Sequence, residues 1–507
     1  MSKGAWWAAG VIAAVVAVVH FATAGQYDIF RNELYFIVCG WHPALGYVDQ
    51  PPLIPLLSAL LWTSKSVWLL RLPAALTAVL LVPLTVMFAQ LLGASTRGAW
   101  MAAVAAASSA LVIAMTATLS TSTFEQIDFT LIAYFVARAI LRDEPRWYWW
   151  AGVVAGFAFE TKFSVIMWVI GLTLGVGIFG PRSIFKSRDL WIGIGIAAII
   201  SLPTAIWQIG NGLPFLELVR NDNSGNFIGG PIAFTLGQIF LNNFLLAPLW
   251  IAGIVAPFAM KRLAPFRFLA VTFVAMGVLI LITHGKAYYY AGAYPTMFAL
   301  GAAAVTNLPR LLIGFWAILS VANGALALPF VLPVLPPERL KYMIDHGSFK
   351  PRPMERAGIG APLMQMLSDQ FGWRDLATTV ESTVAALPSA DRARAVIYAE
   401  NYGDASALEV FGSNLPPVIS GNNNYYLWGT AGADGSVVLA VNVDPAQWTK
   451  ICDSATVVAH FGDSPYAMPY EVNRPIVLCK RMHPPLPQLW PAFKHYGIEN
   501  LGQLTAR

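Results

Sequence analysis

Residues 68–93 read WLLRLPAALTAVLLVPLTVMFAQLLG, with Arg71 as their single charge. A helix crossing a bilayer needs about 20 apolar residues, with a range of about 17–25. This stretch meets that length, and similar blocks repeat at roughly 5–25, 98–119, 123–141, 147–160, 162–180, 190–209, 233–258, 267–283, 287–305 and 311–333. The pattern predicts a polytopic α-helical membrane protein with about 11 transmembrane helices. The block at 147–160 is the weakest, being short and interrupted by Gly152 and Gly156. The first block lacks a small-residue cleavage site and exceeds a signal-peptide core, so it is expected to be a retained span.

Composition agrees. Of 507 residues, 57% are hydrophobic and only 12% charged, about half the charge of an average soluble domain. That excludes a cytosolic enzyme, a disordered chain and a nucleic-acid binder with a basic face. Three cysteines without a CxxC pattern exclude a disulfide scaffold and a structural zinc site.

The charges are unevenly distributed. Residues 1–337 hold 18 Lys and Arg against 11 Asp and Glu, whereas residues 338–507 hold 14 against 16. Pro333, Pro336 and Pro337 mark the junction, where proline ends helices and stiffens linkers. Two domains are expected: a transmembrane domain at 1–337 and a soluble α/β domain at 338–507, with β-rich runs at 395–398, 437–443 and 455–461. Lys and Arg accumulate in cytoplasmic loops. Placing the N-terminus in the cytoplasm puts twelve cations of the first domain inside and six outside. An odd number of spans then places the C-terminal domain outside. The net charge of +5 is thus an orientation signal and not a sign of a nucleic-acid partner.

Most acids of the first domain fall on the outer side, where intramembrane charges are expensive and by default functional. Interfacial snorkelling is the plainer alternative. Outside the cell there is no nucleotide-sugar supply, so a lipid-linked donor is the natural substrate. The first outer loop, roughly 26–66, contains Tyr27-Asp28-Ile29-Phe30-Arg31-Asn32-Glu33-Leu34-Tyr35 and Gly46-Tyr47-Val48-Asp49-Gln50-Pro51-Pro52-Leu53. Its ends read as two interfacial helices, 31–41 and 51–62. The second begins at a proline pair, which suits a first helical turn, and Gly46-Tyr47 forms the corner between them. In this arrangement Asn32, Glu33 and Asp49 face outward.

An acidic pair, an aromatic at Tyr35 and then Gly-Tyr-x-Asp-x-Pro-Pro-Leu resembles the protein O-mannosyltransferase and lipid A aminoarabinose transferase superfamily. These are GT-C glycosyltransferases that use polyprenyl- or dolichyl-phosphate sugars. The resemblance extends to Glu160-Thr161-Lys162, to Gly285-Lys286-Ala287-Tyr288-Tyr289 and to Tyr294-Pro295. The second domain, with Asn401-Tyr402-Gly403 and Gly421-Asn422-Asn423, is similar to that of a bacterial branch, which implies residence in the inner (plasma) membrane. The implied activity is inverting transfer of a sugar from a polyprenyl-phosphate donor to an extracytoplasmic acceptor: a cell-envelope glycan, a lipid or a protein. No cofactor is implied beyond the donor itself. No tight His, Asp or Glu spacing suggests a divalent metal.

The family usually carries Asp-Glu where this chain has Asn32-Glu33, and that Asp is taken as the catalytic base. An amide cannot accept a proton as a carboxylate does. Three explanations compete: a substitution at 32 that traps bound donor, transfer of the role to Glu33 or another acid such as Glu125, or an inactive sugar-lipid binder. A polyprenyl-lipid flippase is a rival of another class, although it predicts charges through both halves of the bundle and an internal repeat.

For the leaving phosphate the candidates are Arg31, Lys162, Lys286, Tyr288 and Tyr289. Plainer readings pair Lys162 with Glu160, pair Arg31 with Glu33 or Asp28, and make Lys286 an interfacial anchor. The loop at 210–232, with Asn211, Arg220 and Asn223, reads as a lid or a plain connection. Cys452 and Cys479 are expected to pair in an oxidising compartment, leaving Cys39 free. Gly421-Asn422-Asn423-Asn424-Tyr425-Tyr426 reads as a glycan contact or as simple loop structure.

Overall fold

The computed structural model describes residues 2–223, 230–348 and 358–497. These fall into two compact units. A bundle unit comprises Met1–Gln26, Ser66–Trp207 and Phe227–Val334, and a sheet unit comprises Tyr27–Lys65, Gln208–Asn226 and Leu335–Arg507. The sheet unit therefore gathers the first loop, a short middle segment and the C-terminal region, three pieces that are far apart in sequence.

In the bundle unit each of the eleven apolar blocks contains helix. Five helices among the described residues are long and apolar enough to cross a membrane: Lys3–Thr23, Leu72–Leu91, Arg188–Gly210, Lys261–Ile282 and Arg310–Val331. A sixth crossing is counted if Gly230–Leu241 and Phe244–Ala259, bent by 94°, form one span. The remaining blocks are shorter or broken, such as Thr96–Ser108 and Ala110–Met115 with a break at Ser109. Only 11% of Arg188–Gly210 and 17% of Arg310–Val331 is buried within the protein. Helices that are apolar on every face and unburied need a hydrocarbon solvent, where backbone groups must be satisfied internally. Gly152, which weakens its block when read as sequence, has a packing role. A Cβ there would lie 2.0 Å from the carbonyl oxygen of Gly193, so only glycine allows these helices to approach so closely.

The sheet unit contains five strands: β1 (Ala395–Ala399), β2 (Val418–Ile419), β3 (Val437–Val441), β4 (Cys452–Phe461) and β5 (Arg474–Met482). Their order is β2-β1-β3-β5-β4. β1 runs parallel to β2 and β3, and β5 is antiparallel to β3 and β4. Every residue of β1 and β3 is buried, as near-continuous apolar runs in a parallel core require. Cys452 and Cys479 form a disulfide that joins β4 to β5, with Cα atoms 5.7 Å apart. Cys39 is free and buried.

Both first-loop helices form, as Arg31–Trp41 and Leu53–Trp62. The first does not lie on a surface as expected. Arg31 and every residue from Glu33 to Cys39 are buried, because Leu34, Tyr35, Phe36, Ile37 and Val38 make it apolar around most of its circumference. It packs against Leu53–Trp62 and against the helix Tyr402–Phe411 that follows β1.

The segment read as a lid or loop is also different. Its middle is a helix, Pro214–Asn223, held within the sheet unit by Lys494 on Glu217 at 2.8 Å and by Asn221 donating to the Tyr496 carbonyl at 3.2 Å. Leu218 packs with Val48 and Tyr496. Asn211 and Arg220 are exposed. The side chain of Asn223 and residues 224–229 lie outside the described residues.

Candidate active site

Two clusters, one in each unit, hold the residues singled out above. In the bundle unit the helix Glu125–Arg142 starts with a buried carboxylate, and Lys162 follows the helix Trp147–Phe159. The Lys162 ammonium donates to Glu125 Oε2 at 2.8 Å and to Ser122 Oγ at 2.7 Å. The Ser164 hydroxyl donates to the other Glu125 oxygen. Lys162 is 15% exposed and Glu125 only 2%, so the pair is largely desolvated and its charges depend on each other. The ammonium lies 4.3 Å from the centre of the Tyr289 ring and 5.9 Å from that of Tyr288, a cation–π arrangement. Lys286 precedes the 3-10 turn Ala287–Ala293 that carries both tyrosines, and its charge acts on Lys162. Gln238 donates to the Ala287 carbonyl at 3.1 Å and accepts from the Tyr294 hydroxyl at 3.0 Å, which fixes the start of that turn.

The bundle therefore brings Glu125, Lys162, Lys286, Tyr288 and Tyr289 together. It does not pair Lys162 with Glu160. Glu160 accepts from the Thr204 hydroxyl at 2.6 Å instead. Glu125 has one oxygen on an ammonium and one on a hydroxyl, which makes it a counter-ion and leaves it poorly placed to act as a base.

In the sheet unit the first-loop motif is mostly internal. Glu33 is fully buried, and its Oε2 accepts from the Phe30 N–H at 2.9 Å. It satisfies one of the unpaired donors at a helix start. Arg31, 3% exposed, lies 3.6 Å from Asp369 Oδ2 and donates to the Tyr470 hydroxyl, which donates to Asp369 Oδ1 at 2.5 Å. Its expected partners, Glu33 and Asp28, are engaged elsewhere, Asp28 with Arg374 at 2.6 Å. This pairing gives Arg31 a buried structural role. Tyr47 is buried. Its hydroxyl donates to the Cys39 carbonyl at 2.7 Å, and its own carbonyl accepts from Gln208 at 2.7 Å. Gln50 is 1% exposed beside Cys39, and Gly46 is buried at the corner. Tyr35 donates to Asp49 Oδ1 at 3.1 Å. Of the motif's polar groups, Asn32, Asp49 and Asp28 retain partial exposure.

The asparagine run at 422–424 is buried and holds this loop in place. Asn424 Oδ1 accepts from the Val48 N–H at 2.6 Å, and the Asn424 N–H donates to the Tyr35 hydroxyl at 3.2 Å. A glycan-facing role for these amides is therefore replaced by an internal one. Tyr402 donates to Asn32 Oδ1 at 2.8 Å.

Behind Arg31 lies a set of acids that sequence reading missed. Asp404 accepts from Asn401 at 2.6 Å and from Asn442 at 2.9 Å. Arg474 donates to Asn442 Oδ1. Burial pushes Asp404 up to about 6 and Glu471 well above the carboxylate range, with mutual repulsion adding to the second effect. Glu400, at the end of β1, is raised to about 8 for the same reason. Asp369, Tyr470, Asp404 and Glu471 are isolated polar letters in the sequence, with no spacing to mark them. Among the described residues no group of three His, Cys, Asp or Glu is arranged to hold a metal ion.

Residues 49–207 match the dolichyl-phosphate-mannose-protein mannosyltransferase family. That segment carries Ser122, Glu125, Lys162 and Ser164 of the bundle cluster and Asp49 of the first loop. Solved structures give more distant likenesses, beginning with the protein O-mannosyltransferase complex of S. cerevisiae bound to the sugar donor. It is 15% identical at a TM-score of 0.34, over 43% of this chain and 33% of that one. The Archaeoglobus fulgidus oligosaccharyltransferase is 12% identical at 0.45, over 85% and 68%. A mycobacterial arabinofuranosyltransferase is 15% identical at 0.49, over 94% and 42%. The chain spans a third of the yeast protein's length and less than half of the mycobacterial one's. No curated protein matches it.

Proposed function

We propose that this protein transfers a sugar from a polyprenyl-phosphate donor to an acceptor on the extracytoplasmic side of a membrane, with inversion at the anomeric carbon. The observation that carries this reading is the Lys162 cluster. An ammonium has three donors, and Glu125 and Ser122 take two of them. The third suits a phosphate monoanion, and Lys286 is close enough for its charge to act on Lys162. Charge that develops on the leaving phosphate is stabilised by such preorganised donors. The cluster also lies largely within the segment that matches the mannosyltransferase family. In the reaction the acceptor hydroxyl attacks the anomeric carbon, its proton passes to a base, and the bond to the phosphate oxygen breaks. The lipid phosphate leaves as an anion. The family resemblance is what assigns the base role to position 32; Glu33 caps a helix and Glu125 is the counter-ion of Lys162.

Asn32 supports a second reading, in which this form binds the sugar lipid and transfers it poorly. One experiment separates the two. Membranes containing this protein or its Asn32→Asp form are incubated with radiolabelled polyprenyl-phosphate sugars. Transfer should be at least about 100-fold faster with the aspartate, the usual size of a general-base contribution. Equal rates would move the base elsewhere. Absence of both transfer and donor binding in either form would overturn the proposal.

A further inference from the structure

The side chain at position 32 has a partner supplied by a distant part of the sheet unit. Tyr402 is 5% exposed, yet its hydroxyl sits at the partly exposed Asn32, 2.8 Å from Oδ1. Several contacts hold the ring. Its centroid is 4.6 Å from that of Tyr35, and the Arg31 guanidinium lies 5.5 Å from its centre. The Tyr402 N–H donates to Asn422 Oδ1 at 3.0 Å, and Asn401 caps the helix that Tyr402 opens by accepting from the Asp404 N–H at 3.0 Å. The next residue must be small, since a Cβ on Gly403 would lie 2.7 Å from Arg31 Cγ. Tyr402 also follows the carboxyl end of β1, whose neighbours β2 and β3 lie on opposite sides of it. In open α/β sheets that end is where ligands are bound; here the first-loop helix lies against it.

We infer that Tyr402 is the positioning residue for the side chain at 32: it orients that side chain's oxygen and, where residue 32 is an aspartate, favours its ionised form. This deepens the glycosyltransferase reading and rests on it. A hydroxyl placed on a carboxylate stabilises the charged form and lowers its pKa. Of the other charged groups around this point, Arg31 is on Asp369, Glu33 on the Phe30 N–H, Asp49 on Tyr35 and Asp404 on Asn401 and Asn442, while Glu400 is buried at the end of β1.

The test compares Asn32→Asp with Asn32→Asp/Tyr402→Phe in the full chain. Loss of the phenol should move the acid limb of the pH–rate profile upward by about one unit, with the donor KM within roughly twofold. An unmoved limb would overturn the inference. A second measurement does not need turnover. 3-Fluorotyrosine placed at 402 and read by fluorine NMR senses the buried Asp404 and Glu400 in both proteins, and should show one further acid-range titration step in the Asn32→Asp protein that the Asn32 protein lacks. The same trace in both would also overturn it. If neither form transfers sugar, the glycosyltransferase proposal fails, while the fluorine signal still decides the role of Tyr402. It also decides that role if Tyr402→Phe does not fold.

Discussion

The two units use charge in opposite ways. The bundle unit has few charged groups, and its main interior pair, Lys162 with Glu125, is bordered by hydroxyls and phenols and remains 15% exposed at the lysine. The sheet unit buries Arg31, Glu33, Asp369, Asp404 and Glu471 at 3% exposure or less and ties most of them to protein partners. Identical residue types therefore serve different ends. Charges in a buried internal network hold elements together, whereas an ammonium that is still partly exposed in an apolar bundle is suited to an incoming anion. Arg31 and Lys162 are both phosphate candidates in the sequence, and their surroundings differ.

The largest expected effect tests the structural side of this contrast. Arg31→Met leaves Asp369 buried without its cation, and breaking a buried pair costs about 3–5 kcal/mol. Denaturant unfolding of the full chain, followed by tryptophan fluorescence, should show that loss. If stability held and donor binding vanished, Arg31 would belong with the phosphate-binding group. The functional side is tested by Lys162→Gln in the Asn32→Asp protein. Transfer should fall on the order of 10²–10³-fold, as when one preorganised donor is lost, while the unfolding midpoint moves much less than with Arg31→Met. The reverse pattern would collapse the distinction between the units.

The buried acids are tested by the pH dependence of stability. Glu400 at about 8, Glu409 at about 7 and Asp404 at about 6 are all raised by burial above their ordinary values of 4.5, 4.5 and 3.8. The folded state then binds more protons than the unfolded state between about pH 4 and 8, so stability falls as pH rises through that window. His495 is held below its ordinary 6.5 by burial and contributes the opposite sign at acid pH. Thermal unfolding scans should show the net decline toward pH 8, and Glu409→Gln should flatten it. A melting temperature that rises steadily from pH 5 to 8 would contradict the buried-acid network.

Much of the fold was legible because its signals are local. Apolar length marked the helical blocks, and the β-rich runs at 395–398, 437–443 and 455–461 fall on β1, β3 and β4. The first-loop motif marked Asn32, Tyr35, Tyr47 and Asp49 as special. Their roles were not legible, because a role depends on burial. Glu33 looks like a second catalytic acid until its oxygen is seen on the Phe30 N–H, and Gly152 looks like a flaw until Gly193 is seen against it. Residues 214–223 look like a polar loop because a short amphipathic helix held by Glu217, Leu218 and Asn221 has little apolar periodicity of its own.

The sequence by itself determined that this protein has an apolar helical bundle and a more polar C-terminal region, since backbone in hydrocarbon can only be helix or closed barrel and composition is read residue by residue. It also determined that position 32 carries an amide. Tertiary structure decided the partners: Lys162 with Glu125 across 37 positions, Arg31 with Tyr470 across 439, and Asn32 with Tyr402 across 370. A side chain's charge state and chemical use depend on solvent exposure and on atoms within a few ångströms, and only folding brings such atoms together.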